Sequence, residues 1–311
     1  MMRIVGKTQT DEELIELKTI ERGCWINLVK PTKKEIALVI KETGILKDHL
    51  VAALDEDERP RYDIEKDTLI IFRVPQEIKT NSTLKIKTIP IGVIITRDYF
   101  VTVGLSDAKV LDDFYENQIK RFYTTKRTRF LIQILSRTNF YFLKYLDRID
   151  NEITKAEIGL RRLLKNEEVV RLFELQKILT YFQTAILANG NVLEYILKGR
   201  VVRLYSEDED SVEDIITENK QALSMTITYN KILSNTLDAY ASIVSNNLNV
   251  VMKLLTSLTI ILSIPTIVAS LYGMNVSLPF QGSSMAFFYT LLISFFISAV
   301  MAVIFLKKDW L

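Results

Sequence analysis

The sequence predicts an α+β cytoplasmic domain, a small mixed sheet with helices, followed by a long stalk helix and two carboxyl-terminal transmembrane helices. The membrane prediction comes from charge, because the 53 residues between Lys253 and Lys307 include no Asp, Glu, Lys or Arg. Short apolar and β-branched runs before about residue 120 indicate strands. From 126 to 264 there is no proline and glycine occurs only at 159, 190 and 199, which favours long helices.

Charge and cysteine content exclude several classes of protein. The chain has 40 basic and 38 acidic side chains. Three basic residues and one acidic residue lie from 253 onward, so residues 1–252 contain 37 basic and 37 acidic side chains. This balance predicts no nucleic-acid partner, since a phosphate-binding face usually leaves a clear basic excess. Cys24 is the one cysteine, so no intrachain disulfide is predicted. Residues 1–10 lack the apolar core of a secretory signal, and we expect the first 252 residues to stay in the cytoplasm.

Residues 1–124 are predicted to form the cytoplasmic α/β domain. A Lys/Glu-rich stretch with interspersed apolar residues predicts a helix at 32–42. His49 is the one histidine, and we interpret it as a helix-surface residue. No nucleophile–base pair, metal-ligand cluster or Gly-rich phosphate loop stands out, so neither an enzyme nor a nucleotide cofactor is predicted. The predicted strands cover 24–29, 69–74, 89–95 and 99–103.

Long helices are predicted to follow, in a cytoplasmic segment at 125–210 with helices at 127–164 and 167–204. An acidic run at 207–214 is interpreted as a solvated helix start rather than an ion site, because carboxylates favour helix N-termini. From 211 to 274 one helix can continue into the membrane. Apolar residues recur at sevens along it, from Ile216 to Val251, which indicates close packing against a subunit neighbour or another helix of the same chain.

Two segments are long enough to span a bilayer, which needs about 20 apolar residues as a helix. The first covers 254–274 and the second 285–306, with an uncharged, turn-rich external loop at 275–284. Lysines flank the pair on both sides, so the positive-inside rule places the tail 307–311 and both termini in the cytoplasm. Lys307 and Lys308 are interpreted equally as topological anchors or as a basic collar.

Small or polar residues form a second pattern on the first span, spaced alternately by three and four. Two interpretations are open. Small residues let membrane helices approach closely, or hydroxyls and amides facing a common axis line a watery path. From the residues alone packing is favoured, and a path would need several chains around one axis, since two helices cannot enclose a pore. The stripe consists of Asn249, Met252, Thr256, Thr259, Ser263, Thr266, Ser270 and Gly273.

The first span ends in Tyr272-Gly273-Met274-Asn275, and the chain ends in a basic pair followed by Trp310-Leu311. With the two spans and the Arg59-Pro60-Arg61 segment after an acidic run, this resembles the CorA family of magnesium transporters. The resemblance covers most of the chain and is most specific in its last 65 residues. It implies a homopentamer with a cytoplasmic funnel, a stalk helix leading into a pore-lining first span, and an outer ring of second spans in the cell (inner) membrane. It also reverses the preference for close helix packing, because in this family the stripe would lie on the face of the helix that lines the pore.

The resemblance assigns roles residue by residue. Asn275, with Gly273 and Met274, would form the selectivity filter at the outer mouth. Asp238 matches an acidic position that helps bind regulatory magnesium, and Asp55 and Glu56 are weaker candidates. Asn249, Met252, Leu255 and Thr266 match positions that line or constrict the family's pore. The stripe adds the rest of the predicted pore-lining set, namely Thr256, Thr259, Ser263 and Ser270.

Three departures from the family pattern alter these expectations. Ala52 stands where many members carry an acidic partner for the regulatory site, so that site is expected to be displaced or weaker. Ser263 stands where some relatives have a bulkier residue, which removes an apolar gate at that level. The loop after Asn275 has no acidic residue, so no outer ring of carboxylates is expected.

The expected function is magnesium transport, with Mg²⁺ both transported and regulatory, and with cobalt or nickel also carried. Magnesium demands octahedral oxygen and gives up water reluctantly, so a path of amides and hydroxyls without carboxylates favours the hydrated ion. The alternatives are a zinc or transition-metal carrier of the same superfamily, or a membrane-anchored metal sensor without flux. The expected partners are other copies of the chain, membrane lipid and divalent cations.

Overall fold

The computed structural model describes residues 1–78, 85–163, 166–276, 278–279 and 282–310. The chain divides into two compact units, Met1–Asn235 and Thr236–Leu311. The first unit holds a mixed sheet with helices, the second holds two apolar helical segments, and one long helix belongs to both. The predicted combination of an α+β domain, a long helix and two membrane helices is confirmed.

A single sheet organises the first unit. Its order is β2-β1-β3-β7-β6-β5-β4 for the following strands: β1 (Met2–Gly6), β2 (Ile15–Glu16), β3 (Trp25–Val29), β4 (Arg61–Ile64), β5 (Thr68–Ile78), β6 (Lys85–Ile95) and β7 (Phe100–Gly104). β3 and β7 are parallel, and every other neighbouring pair is antiparallel. The sheet is therefore mixed, as predicted.

All four predicted strands are present, as β3, β5, β6 and β7. β5 and β6 are longer than predicted because their antiparallel pairing runs from Thr68 opposite Ile95 to Ile78 opposite Lys85. The hairpin thus continues beyond the apolar runs into polar residues. The sequence prediction missed β1, β2 and β4. These are short strands at or near the sheet edges with mostly half-exposed or exposed side chains, so they lack the apolar run of a central strand.

Alternation along the strands covers both faces of the sheet. Ile26 and Leu28 point to one face, where they pack in a buried cluster that includes Val39 and Leu50. Trp25 points to the opposite face, where its ring packs against Phe114 and Phe130. Because successive strand residues face opposite sides, the apolar run 24–29 is buried on both.

Two short helices lie on the first of these faces. α1 (Lys33–Thr43) starts at a capping box in which Thr32 and Glu35 satisfy each other's backbone N–H groups, and it ends at Gly44 with φ 69°. The helix predicted at 32–42 is confirmed. α2 (Lys47–Ala52) was not predicted, because six residues are too few to show a helical period.

The interpretation of His49 as a helix-surface residue is wrong. His49 lies on α2 but is only 4% exposed. Its Nδ1 lies 2.9 Å from Oδ1 of the buried Asp67, and its Nε2 lies 3.6 Å from Oδ2 of Asp63. The His49–Asp67 contact is an ion-pair contact without hydrogen-bond geometry, and the other Asp67 oxygen, Oδ2, accepts a hydrogen bond from the Leu46 N–H at 3.3 Å. A polar residue can be buried when it is paired, so His49 fastens α2 to the β4–β5 hairpin.

The remaining helices of the first unit are α3 (Lys109–Tyr115), α4 (Arg127–Leu163) and α5 (Asn166–Leu197). α4 and α5 agree with the helices predicted at 127–164 and 167–204, except that α5 ends seven residues early. Gly199 has φ 64°, its N–H donates to Ile196 O at 2.9 Å, and the Arg200 N–H donates to Tyr195 O at 3.2 Å. This is a Schellman C-cap, and it stops the helix where apolar pattern alone would continue it.

α6 (Ser206–Tyr272) is one helix of 67 residues with Pro265 inside it, and α7 (Ala286–Lys307) follows. Both are long and apolar enough to cross a membrane. The acidic run at 207–214 lies inside the start of α6, as expected for a helix N-terminus. Parts of the predicted segments fall outside the described residues, namely 164–165, 277 and 280–281 of the external loop 275–284, and 311 of the tail.

Candidate functional site

One face of the apolar part of α6 is covered within the second unit. Ser257 and Val268 are buried, and three isoleucines at 260, 261 and 264 are half-buried. The Ser257 hydroxyl donates to Leu254 O at 2.8 Å and lies 3.4 Å from Trp310 O, and the Trp310 ring stacks on Phe305 of α7 at 5.5 Å. This face of α6 is therefore turned towards α7 and the residues that follow it.

α7 has a less exposed face that sequence reasoning missed. Its side chains with reduced exposure include small residues at every fourth position, and Ser294 among them is 9% exposed. Small side chains allow two membrane helices to approach closely. The period of four could have been seen in the sequence, but the uniformly apolar composition of the span hid it. The small residues are Ala286, Thr290, Ser294, Ser298 and Ala302.

The predicted polar stripe lies on the opposite side of α6. At about 100° per residue, its members in the span are centred roughly 150° away from the covered face. Asn249, Met252, Leu255, Thr256, Thr259, Thr266 and Ser270 are all exposed, and Ser263 is half-buried. The stripe is thus not used to pack α6 against the companion span of its own chain.

Hydroxyl groups on this stripe present oxygens to their surroundings. Thr259 Oγ1 donates to Leu255 O at 2.8 Å, and Ser263 Oγ donates to Ile260 O at 2.9 Å. Because each hydroxyl gives its one proton to its own helix, its oxygen keeps lone pairs that can accept hydrogen bonds from elsewhere. A row of such acceptors suits a cation that carries donating water molecules.

The Gly273-Met274-Asn275 triplet begins directly after α6. The Gly273 N–H donates to Ala269 O at 2.9 Å and the Met274 N–H donates to Leu271 O at 3.3 Å, so the turn continues the helix by one step. A Cβ added to Gly273 would lie 3.4 Å from Ala269 O. Asn275 is exposed, which leaves its amide available to a ligand at the end of the helix.

The acidic segment 55–58 forms a loop whose backbone is held from the sheet. Arg73 on β5 donates from Nη1 to Glu56 O at 3.1 Å and to Glu58 O at 2.9 Å. Burial lowers the pKa of Arg73, and the nearby Asp57 and Glu56 carboxylates oppose that shift. Asp55 and Glu56 are exposed. Sequence reasoning missed Arg73, because nothing in a strand pattern indicates that one of its residues supports a distant loop.

Glu56, one of the candidate regulatory residues, already has a cationic neighbour. Its Oε1 accepts a hydrogen bond from Lys87 Nζ at 2.8 Å, and this bond holds the pKa of Glu56 below its usual range. Asp238 is exposed on α6, and Lys307 and Lys308 are exposed at the end of α7. Across the part of the chain that the structure describes, no three His, Cys, Asp or Glu side chains are grouped to hold a metal. Asp55 and Glu56 belong to the first unit and Asp238 to the second.

The fold and these faces define a class of protein. It is an integral membrane protein with an α/β domain and two carboxyl-terminal spans, one of which presents an uncharged polar stripe. No motif of an enzyme accompanies them.

Comparisons with known proteins identify the family. The model of the CorA-like Mg²⁺ transporter protein family matches residues 21–308. The chain belongs to this family, whose members are divalent-cation transporters and not enzymes.

Individual relatives agree with this assignment. The cobalt/magnesium transport protein CorA of Methanocaldococcus jannaschii is 25% identical over 304 residues, which covers 93% of this chain and 92% of the relative. The complete structure of the CorA magnesium transporter from the same organism superimposes with a TM-score of 0.87 at 23% identity, covering 100% of this chain and 99% of that one. The full-length CmaX protein superimposes with a TM-score of 0.70 at 12% identity, covering 97% of both chains. The two structural likenesses show the fold.

Proposed function

We propose that five copies of this chain form a channel that passes hydrated Mg²⁺ across the cell membrane. The single observation that carries the proposal is the position of the polar stripe, exposed on α6 on the side away from α7. Polar groups in a membrane span are costly unless they face water or one another. Five α6 helices around one axis, with α7 outside, would give every stripe residue a watery path to face.

The chemistry of the stripe favours a hydrated, hard cation. No carboxylate or cationic side chain lies between residues 254 and 306, so nothing in the path would strip the ion of water or trap it. Mg²⁺ gives up its bound water molecules reluctantly. These water molecules would donate hydrogen bonds to the hydroxyl and amide oxygens of the stripe. Cobalt and nickel ions, which are also hydrated divalent cations, would pass by the same contacts.

Asn275 would act as the selectivity filter with Gly273 and Met274. Five amide oxygens at the end of α6 could accept hydrogen bonds from the water shell of an arriving ion. An amide adds no net charge, so binding would remain weak enough for the ion to leave.

The membrane potential would drive uptake. A divalent ion crossing about 100 mV gains about 4.6 kcal/mol, twice the value for a unit charge. With both termini in the cytoplasm, Lys307 and Lys308 would form a basic collar at the inner face of the cell (inner) membrane. No nucleotide is required for this reaction.

Regulation would come from Mg²⁺ bound between subunits. Asp238 is the first candidate ligand, and Asp55 and Glu56 are further candidates. Because no single chain groups three such ligands among its described residues, a neighbouring chain would have to supply part of the site. Bound ion would hold the stalk helices together, and its loss would let the carboxylates repel one another and open the path.

Flux into liposomes tests the proposal. The purified chain should carry Mg²⁺ down an imposed potential, and Asn275→Ala or Asn249→Ala should change flux or ion preference. Asn247→Ala removes an equally exposed amide from the same helix off the stripe, and it should behave as wild type. Preference for zinc over magnesium would support the zinc-carrier alternative. Magnesium binding without flux of any ion would support a membrane sensor instead.

Thiol accessibility tests the path itself. Cys24 is 1% exposed, so a thiol reagent should react with an introduced exposed cysteine and not with Cys24. Ser270→Cys, on the stripe three residues from the end of α6, should be modified by a water-soluble thiol reagent and block flux. Phe288→Cys, equally close to the start of α7 but on its apolar exposed face, should not react. Reaction at 288 with protection at 270 would contradict the proposed orientation.

A further inference from the structure

The first unit contains a cleft of about 880 Å³. None of its lining residues belongs to the candidate pore stripe. It lies among the β4–β5 turn, the β6–β7 turn, the start of α4 and the segment from the end of α5 into α6. Its volume is within the range of small-molecule sites. Six of its lining residues are cationic: Lys66, Arg97, Lys126, Arg127, Arg129 and Arg203.

Four carboxylates also line the cleft, two fewer than the cations. Of the four, Asp67 is engaged by His49 at 2.9 Å, and Glu207 pairs with Arg129 at 3.7 Å. Glu65 and Asp208 are the other two.

The remaining basic side chains are unpaired. Within the described residues, none of the ion pairs involves Arg97, Lys126, Arg127 or Arg203. The cleft therefore has an uncompensated excess of positive charge.

The start of α4 adds to this positive field. Its first turn has no acidic residue, while the first turns of α1, α5 and α6 each carry at least one. Lys126, Arg127 and Arg129 stand there instead. The amino end of a helix is already partly positive, so a cation placed there carries an electrostatic cost when nothing negative is near. A bound anion would remove that cost.

Neutral donors complete the lining. Thr125, Thr128 and Ser206 contribute hydroxyls, and Tyr205 contributes a phenol ring that is 62% exposed. Thr128 Oγ1 donates to Arg203 O at 3.4 Å, which links the start of α4 to the segment that carries Arg203. Guanidinium groups from both segments thus border the same cleft.

We propose that this cleft binds a small phosphate-bearing anion. Arginine presents paired N–H donors that match phosphate oxygens, and Arg127 and Arg203 approach from different elements. No Gly-rich phosphate loop is present, so side chains would provide the binding. The anion would be either inorganic phosphate or pyrophosphate, or the phosphate chain of a nucleotide whose base stacks on Tyr205.

Titration calorimetry on the full chain in detergent, freed of divalent ions, tests the proposal with inorganic phosphate, pyrophosphate and ATP as probes. At least one probe should bind, and affinity should fall as salt rises. Arg127→Gln and Arg203→Gln should each weaken binding about tenfold, as expected for loss of a charge-assisted hydrogen bond. Lys34→Gln, which removes an exposed, unpaired cation from α1 outside the cleft, should leave affinity unchanged.

A further variant distinguishes the two sources of phosphate. Tyr205→Ala should weaken ATP but not pyrophosphate if a nucleotide is the ligand, and should weaken neither if free phosphate is. Absence of binding by all three probes at millimolar concentration would overturn the proposal, as would unchanged affinity in both arginine variants. If Arg127→Gln fails to assemble, Arg203→Gln decides, because that side chain is exposed and pairs with no carboxylate.

Discussion

Lys87 Nζ lies 2.8 Å from Oε1 of Glu56, so a candidate regulatory carboxylate is already occupied by a fixed cation. β6 places Lys87 beside the loop whose backbone Arg73 holds from β5. A metal ion would have to compete with this ammonium group for Glu56. If Glu56 binds regulatory Mg²⁺ as proposed, a change at Lys87 would alter magnesium sensitivity without altering a ligand.

Removing that competitor should make the channel close at lower internal magnesium. Lys87→Gln removes the cationic neighbour of Glu56, and the effect should be modest because solvent weakens an exposed ion pair. The magnesium concentration that halves flux should therefore fall slightly in liposome measurements. Lys85→Gln, two residues along the same strand and exposed, is the matched control and should have no effect. An unchanged midpoint in Lys87→Gln would remove Glu56 from the regulatory site.

The same pair predicts a dependence of stability on pH. The hydrogen bond from Lys87 lowers the pKa of Glu56, so the folded state favours the ionised carboxylate. Its contribution is present above the unfolded pKa, near 4.5, and is lost as pH falls through the lowered folded value. The wild type should melt slightly above Lys87→Gln at pH 7, and the two melting temperatures should converge as the pH falls through the lowered folded pKa of Glu56. A difference that persisted at low pH would mean that Lys87 stabilises through packing instead of charge.

The buried pair of His49 and Asp67 should matter more for stability. Replacing one partner leaves the other without its counterpart, which costs about 2–4 kcal/mol in a buried setting. His49→Leu should therefore lower the melting temperature of the full chain by roughly 5–10 °C. Lys47→Leu, an exposed change on the same short helix, is the control. Adding Asp67→Leu to His49→Leu should recover part of the loss, and failure to recover any would show that His49 acts by shape alone.

Sequence periodicity predicted the elements that are long or strongly apolar. The two spans and four central strands follow from local composition, and α4 was predicted to within one residue at its end. The end of α5 at Gly199 was missed because a cap depends on one backbone conformation. His49 was placed on the surface because its partner Asp67 lies 18 residues away, and only the β4–β5 hairpin brings the two together.

In the candidate site, too, local patterns predicted some features, and contacts between distant residues were missed. The period of three and four found the polar stripe on α6, since its members repeat along one helix. The support of the acidic loop by Arg73 joins residues from two elements, so no local pattern indicates it. The proposed site of Asp238 with Asp55 or Glu56 joins residues of different chains, so no pattern along one sequence indicates it.

The small-residue face of α7 predicts how α6 is held in place. Ser294 is 9% exposed and lies on the less exposed face of α7, while its neighbour Phe295 is 75% exposed. Ser294→Leu would add two heavy atoms to a side chain that is already covered, and overpacking of this kind costs about 1–3 kcal/mol. The variant should melt lower in detergent and lose oligomer on size-exclusion chromatography. Phe295→Leu, a change on the outward face, should retain both properties. Equal behaviour of the two variants would mean that α6 and α7 are held together by contacts other than this face.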